Sequence, residues 1–187
     1  MDFVTIDLET ANADMSSICQ IGVVKYNNSE ITSEWSSLVD PRDFFDGIHM
    51  SIHGITKNQV EGAPTFAEIY PHLRLMLQDT VCVSHTHFDR VSLDKAIRKN
   101  ALDSFETTWL DSARVARRAW EECAWKGYGL SNLCKIIGFK FEHHDALEDA
   151  KACGAVLLAA IEKSGMDVQG WLTRVGQPIE GGSNSKL

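Results

Sequence analysis

The chain changes its hydrophobic period once: apolar and β-branched residues alternate as in strands through residues 3–7, 18–26 and 31–38, and only later recur at helical spacing. A polar loop over 12–17 and a turn over 27–30 join the three runs, which reads as an antiparallel meander. After an irregular stretch through Pro41 and Gly47, residues 65–77 carry Phe66, Ile69, Leu73 and Leu77 on one helical face. A short apolar run at 80–84 then reads as a buried strand, 89–100 as a helix, 107–110 as a strand and 112–120 as a helix. Residues 130–137 form a short helix stopped by Gly138, and 146–163 the longest helix, closed by Ser164 and Gly165. A meander followed by alternating helices and strands constrains the chain to an α/β fold, a mixed sheet with helices packed against it. The length of 187 residues suits one domain, placed at 1–163. Residues 164–187, ending in a Gly- and Ser-rich run, read as a flexible tail or a linker to a further domain.

Composition excludes several classes of function. Hydrophobic residues make up 44% and charged residues 24%, the balance of a folded domain. No run is long and apolar enough to cross a bilayer, and no basic region followed by an apolar stretch opens the chain, so a cytoplasmic protein without a membrane partner is expected. The five cysteines are scattered and form no C-x-x-C pair, which points to buried thiols in a reducing compartment rather than zinc or disulfides. A formal charge of −8 argues against a broad surface that tracks duplex phosphates. A nucleic-acid partner must then be gripped locally, as a metal site can do.

Three segments offer acids suited to such a site. Asp7 and Glu9 lie two apart at the end of the first strand, so both carboxylates share a face. Two such charges about 4 Å apart repel by about 4 kcal/mol at an effective dielectric near 20 unless a cation or a proton intervenes. A lone Asp-x-Glu is more often a solvated strand end. Asp89 opens a helix four residues before Leu93 and shares its inner face, although a first-turn acid is also what the helix dipole favours. Asp149 falls on the stripe of Cys153, Val156 and Ala160, so it is aimed at a core and needs a partner. His144 is five residues before Asp149, about 140° away on one helix. Asp145 with Glu148 three later resembles a capping box, which starts the helix after His144 and leaves His144 on a mobile entering loop over the same site. His143, His85 and His87 are weaker candidates. Four carboxylates from three segments are hard ligands for Mg²⁺ or Mn²⁺, as used in phosphodiester hydrolysis.

The segments FVTIDLETAN (3–12), ICQIGVV (18–24), IHGIT (52–56), FDRVSL (88–93) and HHDALEDAKACGAVLL (143–158) resemble the DnaQ-like (DEDDh) 3′→5′ exonuclease family. They are similar in particular to exonuclease domains like that of the bacterial DNA polymerase III epsilon subunit, in order and spacing over residues 1–163. The resemblance implies a ribonuclease-H-like mixed sheet, with Asp7, Glu9, Asp89 and Asp149 as ligands of two divalent cations, Mg²⁺ or Mn²⁺. It makes His144 the general base and Asp7 the ligand shared by both ions. It places the Leu8 backbone and the Thr10 hydroxyl against the terminal nucleotide, walled by Phe88 and the turn holding Ile52, His53 and Ile55. The implied activity releases nucleoside 5′-monophosphates from the 3′ ends of DNA, single-stranded or frayed, with a polymerase or further domain reached through the tail. Two departures concern the substrate mouth: Ala11 and Asn12 stand where the family usually has Gly, and Ser84 to Asp89 reads SHTHFD, which leaves His85 without a role. Alternatives are an exoribonuclease or oligoribonuclease acting on RNA 3′ ends, a small-molecule phosphodiesterase, and a non-catalytic interaction module on the same fold.

Overall fold

In the computed structural model, which describes residues 2–141 and 144–177, the first strand is covered on both faces. In β1 (Asp2–Thr10), Val4, Ile6 and Leu8 enter one apolar cluster while Phe3 enters another, so the two-residue period serves two cores at once. β1 pairs antiparallel with β2 (Ile18–Asn27), and β2 antiparallel with β3 (Glu30–Leu38), the expected meander. Where an irregular stretch was expected, α1 (Gly47–His53) and α2 (Lys57–Val60) form. Asp46 caps α1 locally by accepting the amides of Ile48 and His49, and the His53 ring ties its other end to the Thr10 carbonyl, a tertiary contact that a helix this short needs.

α3 (Phe66–Leu77) leads to β4 (Val81–Ser84), which lies parallel to β1, and α4 (Phe88–Lys99) leads to β5 (Thr108–Asp111), parallel to β4. Among the described residues the sheet order is β3-β2-β1-β4-β5. α5 (Ser112–Ala119), α6 (Cys123–Lys126), α7 (Leu130–Ile137) and α8 (Ala146–Ser164) follow. α3 and α4 cover the Val4 face through Phe66, Leu73, Leu93 and Ile97, and α5, α7 and α8 cover the Phe3 face through Val115, Leu133 and Val156. Gly138 and Gly165 close α7 and α8 with φ of 74° and 70°. All five cysteines are buried and free.

α8 rests on one face of β2. A Cβ on Gly22 would overlap the backbone of Ala146, and one on Gly154 would overlap the Tyr26 ring, so strand and helix meet at two glycines. Tyr26 stacks on Phe3 with centroids 4.5 Å apart and donates its hydroxyl to the Lys151 carbonyl at 3.3 Å.

The tail reading needs correction. Val168–Gly176 is a helix, α9, whose Trp171 is 1% exposed within the Phe3-side core. Arg114 donates to the Val175 carbonyl at 2.9 Å, and Arg118 to the carbonyls of Val175 and Gln177 at 3.2 and 2.6 Å, so two guanidinium groups from α5 cap its end. Residues 178–187, with the Gly- and Ser-rich run, lie outside the described residues.

Candidate active site

β1 runs past its partner β4: the parallel ladder joins Val4 to Cys82 and Thr5 to Val83 and goes no further along β1. The Leu8 amide beyond it finds its acceptor in Asp89, whose Oδ1 lies 3.0 Å away. That bond fixes the Asp89 carboxylate, 2% exposed in the first turn of α4, beside the end of β1. The antiparallel register opposes Asp7 to Gly22 and Glu9 to Gln20, so both acids project on the face where α8 begins. Asp149, 3% exposed and one turn into α8, completes the set. Glu9, Asp149 and the His144 ring bring ligand atoms within 4.8 Å of one another.

Crowding these acids is costly, and the cost appears in their titration. Burial, and then Asp89, Asp149, Glu9 and Asp145, hold the Asp7 carboxyl well above its usual range. Burial, followed by Asp149, Asp89 and Asp145, pushes Glu9 up to about 8. Asp89 is also pushed up to about 8, chiefly by burial and further by Asp149 and Asp111, against backbone hydrogen bonds that pull it down. The charges bearing most strongly on Asp7 and Glu9 are all carboxylates. A hard divalent cation is the counter-charge that fits such a donor set.

His144 precedes α8 in a left-handed conformation, φ 71°. Its amide donates to Asp149 Oδ2 at 2.8 Å, which joins the entering loop to the site. Half of the expected capping box forms. Asp145 Oδ1 accepts the amides of Leu147 and Glu148, whereas the Glu148 carboxylate accepts from Lys151 Nζ at 3.0 Å rather than returning to the cap. His143 lies outside the described residues.

Ile52, His53, Ile55, Gln20, His144 and Asp145 line a groove of about 620 Å³ next to the acids, room for a nucleotide-sized ligand. Within it both nitrogens of His53 are committed: Nδ1 accepts the Ile55 amide at 3.0 Å, which leaves the proton on Nε2 to be donated to the Thr10 carbonyl at 3.1 Å. Burial lowers its pKa, in keeping with a neutral structural clamp. The Leu8 amide is likewise occupied, donating to Asp89 Oδ1. Thr10 is buried, Phe88 is half-buried, and neither lines this groove. His85 bridges the Ser112 hydroxyl and the Tyr128 carbonyl, both at 2.8 Å, a packing role. Gln20 went unremarked in the sequence, although a polar residue alternating with Gly22 inside a buried strand was a visible signal.

Residues 4–157 match the model of a family described as exonuclease, RNase_T. The chain is 29% identical over 165 residues to a PolC-type DNA polymerase III of Caldanaerobacter subterraneus, covering 87% of this chain and 12% of that protein. It is 30% identical over 168 residues to the PolC-type enzyme of Clostridium perfringens, covering 87% of this chain and 11% of that one. The chain thus spans about an eighth or less of the length of these curated relatives. Among solved structures it is similar to exonuclease X in complex with 5′ overhanging duplex DNA, at 25% identity and a TM-score of 0.73, over 93% of this chain and 99% of that one. Its fold is also that of the nuclease domain of 3′hExo, a DEDDh family member bound to rAMP, at 18% identity and a TM-score of 0.71, over 87% and 92% of the two chains.

Proposed function

The chain belongs to the RNase_T exonuclease family, and from that premise we propose that it hydrolyses nucleoside 5′-monophosphates from the 3′ ends of DNA, single-stranded or frayed. The observation that carries this reading is the convergence of Asp7, Glu9, Asp89 and Asp149, from β1, α4 and α8, beside a histidine ring and an open groove. Two divalent cations, Mg²⁺ or Mn²⁺, held by these four carboxylates would neutralise the phosphodiester and the leaving oxygen.

The residues themselves divide the remaining work. His144, tethered through its amide to Asp149, holds its imidazole by Glu9 and takes a proton from the attacking water at a ring nitrogen. Water oxygen bonds to phosphorus as the bond to the 3′ oxygen breaks, and the released nucleotide keeps its 5′-phosphate. Ile52 and Ile55 wall the groove that receives the terminal base and sugar. A protein of net charge −8 can bind DNA in this way because an end, rather than a duplex surface, is recognised. The preference for DNA is supported by the PolC-type relatives and by the DNA complex of exonuclease X, and the same relatives support a setting alongside a polymerase.

The test compares single-stranded DNA, mismatched duplex ends and RNA of one sequence, each with Mg²⁺ or Mn²⁺. Fastest loss of nucleotides from single-stranded or mismatched DNA is expected. Faster cutting of RNA would transfer the reading to an exoribonuclease, and no cutting of any of the three would leave a non-catalytic module.

A further inference from the structure

Gln20 faces Glu9 across the β1–β2 ladder, so its side chain rises from the sheet where α8 begins. Its amide spans that helix start: Nε2 donates to Asp145 Oδ2 at 3.1 Å, and Oε1 accepts the Ala146 amide at 3.2 Å. The two contacts fix the orientation of the amide, since the reversed group would set donor against donor and acceptor against acceptor. Each Asp145 oxygen then has its own task, because Oδ1 takes the amides of Leu147 and Glu148. Ala146 is the first helical residue, whose N–H has no acceptor within the helix. Two residues along β2, Gly22 allows the Ala146 backbone to sit directly on the strand. The helix start can therefore neither sink into the sheet nor, while Gln20 holds it, lift away.

We infer that Gln20 is a positioning residue for the reaction proposed above: its amide clamps the first turn of α8 to β2 and so holds His144 and Asp149 in place over Glu9. His144 and Asp149 move as one body with that turn, because the His144 amide is bound by the Asp149 carboxylate. The chemistry favours a neutral clamp. Asp145 adds a negative charge to an acid-crowded site and needs a donor, but a lysine there would compete with the cations, whereas an amide donates without adding charge.

The kinetic part of the test rests on the exonuclease reading, and a second readout does not. Gln20→Met keeps the length of the side chain and removes both hydrogen bonds, one of them to a charged group, so kcat should fall about 10- to 100-fold with little change in KM. In a His144→Ala background the same substitution should cost less, because one of the two residues it positions has lost its imidazole. In the metal-free protein, the amides of Ala146, Leu147 and Glu148 should exchange with solvent about tenfold faster or more in Gln20→Met, with the rest of the core as protected as before. Unchanged exchange at Ala146 overturns the inference, as does an unchanged kcat in Gln20→Met, or its global unfolding. If the wild-type protein cuts no nucleic acid, the exonuclease reading falls and the exchange experiment still decides whether the clamp exists.

Discussion

Glu9 and Asp89, both pushed up to about 8, keep protons at neutral pH that the unfolded chain has already released. The folded state then binds more protons than the unfolded one between the ordinary carboxylate range and about 8, so stability falls as pH rises through that window and levels off above it. Thermal melts of the chelated protein should show this decline, and Mg²⁺ should flatten it by replacing the protons. A melting point that rises with pH in chelator would contradict the account. Asp7→Asn removes one of the repelling charges, so it should abolish activity while leaving the metal-free fold as stable as wild type or more so; a destabilised Asp7→Asn protein would mark the carboxylate as structural. His144→Ala should lower the rate by about 10²- to 10⁴-fold, the usual value of general-base catalysis, with metal affinity by calorimetry little changed. Loss of metal binding would make His144 a ligand instead. These residues were legible because each broke a local pattern: Asp149 interrupts an apolar stripe, and Asp7 and Glu9 end a buried strand. The commitments of Leu8 and His53 were not legible, since their partners, Asp89 and Thr10, are 81 and 43 residues away.

At the scale of elements, the long periodic segments matched expectation, and the misses were short helices. α1 has seven residues and depends on its Asp46 cap and the His53 clamp, while α9 depends on a buried Trp171 and on arginines from α5. The partners that hold these helices, the Thr10 carbonyl for α1 and the α5 arginines for α9, lie far along the chain, where the helix's own periodicity cannot report them. The docking of α8 on β2 is the element-scale feature on which the site depends, and it gives a direct test. Gly22→Ala places a methyl group against the Ala146 backbone, which cannot turn aside as a side chain can. Overpacking of this kind costs about 1 to 3 kcal/mol, so Gly22→Ala should lower the melting point by several degrees and also reduce kcat through displacement of the first turn of α8. Wild-type activity in Gly22→Ala would separate the helix start from catalysis.

At the scale of the molecule, the sheet order β3-β2-β1-β4-β5 brings β1 to the centre, so the strand bearing two of the acids has neighbours on both edges and helices on both faces. The meander and the added parallel strands were legible in the sequence, but a meander leaves an edge open on β3 as well as on β1, and the pairing of β4 with β1 came from the structure. No helix among the described residues is long and apolar enough to cross a membrane. With a net charge of −8 this chain repels nucleic acid on average, so the proposed reaction requires attraction at one metal-loaded end of the sheet. The most direct measurement follows a single DNA strand labelled at its 5′ end, incubated with the protein and Mg²⁺ and resolved at single-nucleotide steps. The labelled strands should form a ladder that shortens from the 3′ end, is slowed sharply by a 3′-phosphate, and is absent in excess chelator. Early release of the label as a mononucleotide, or an unchanged ladder in chelator, would contradict it.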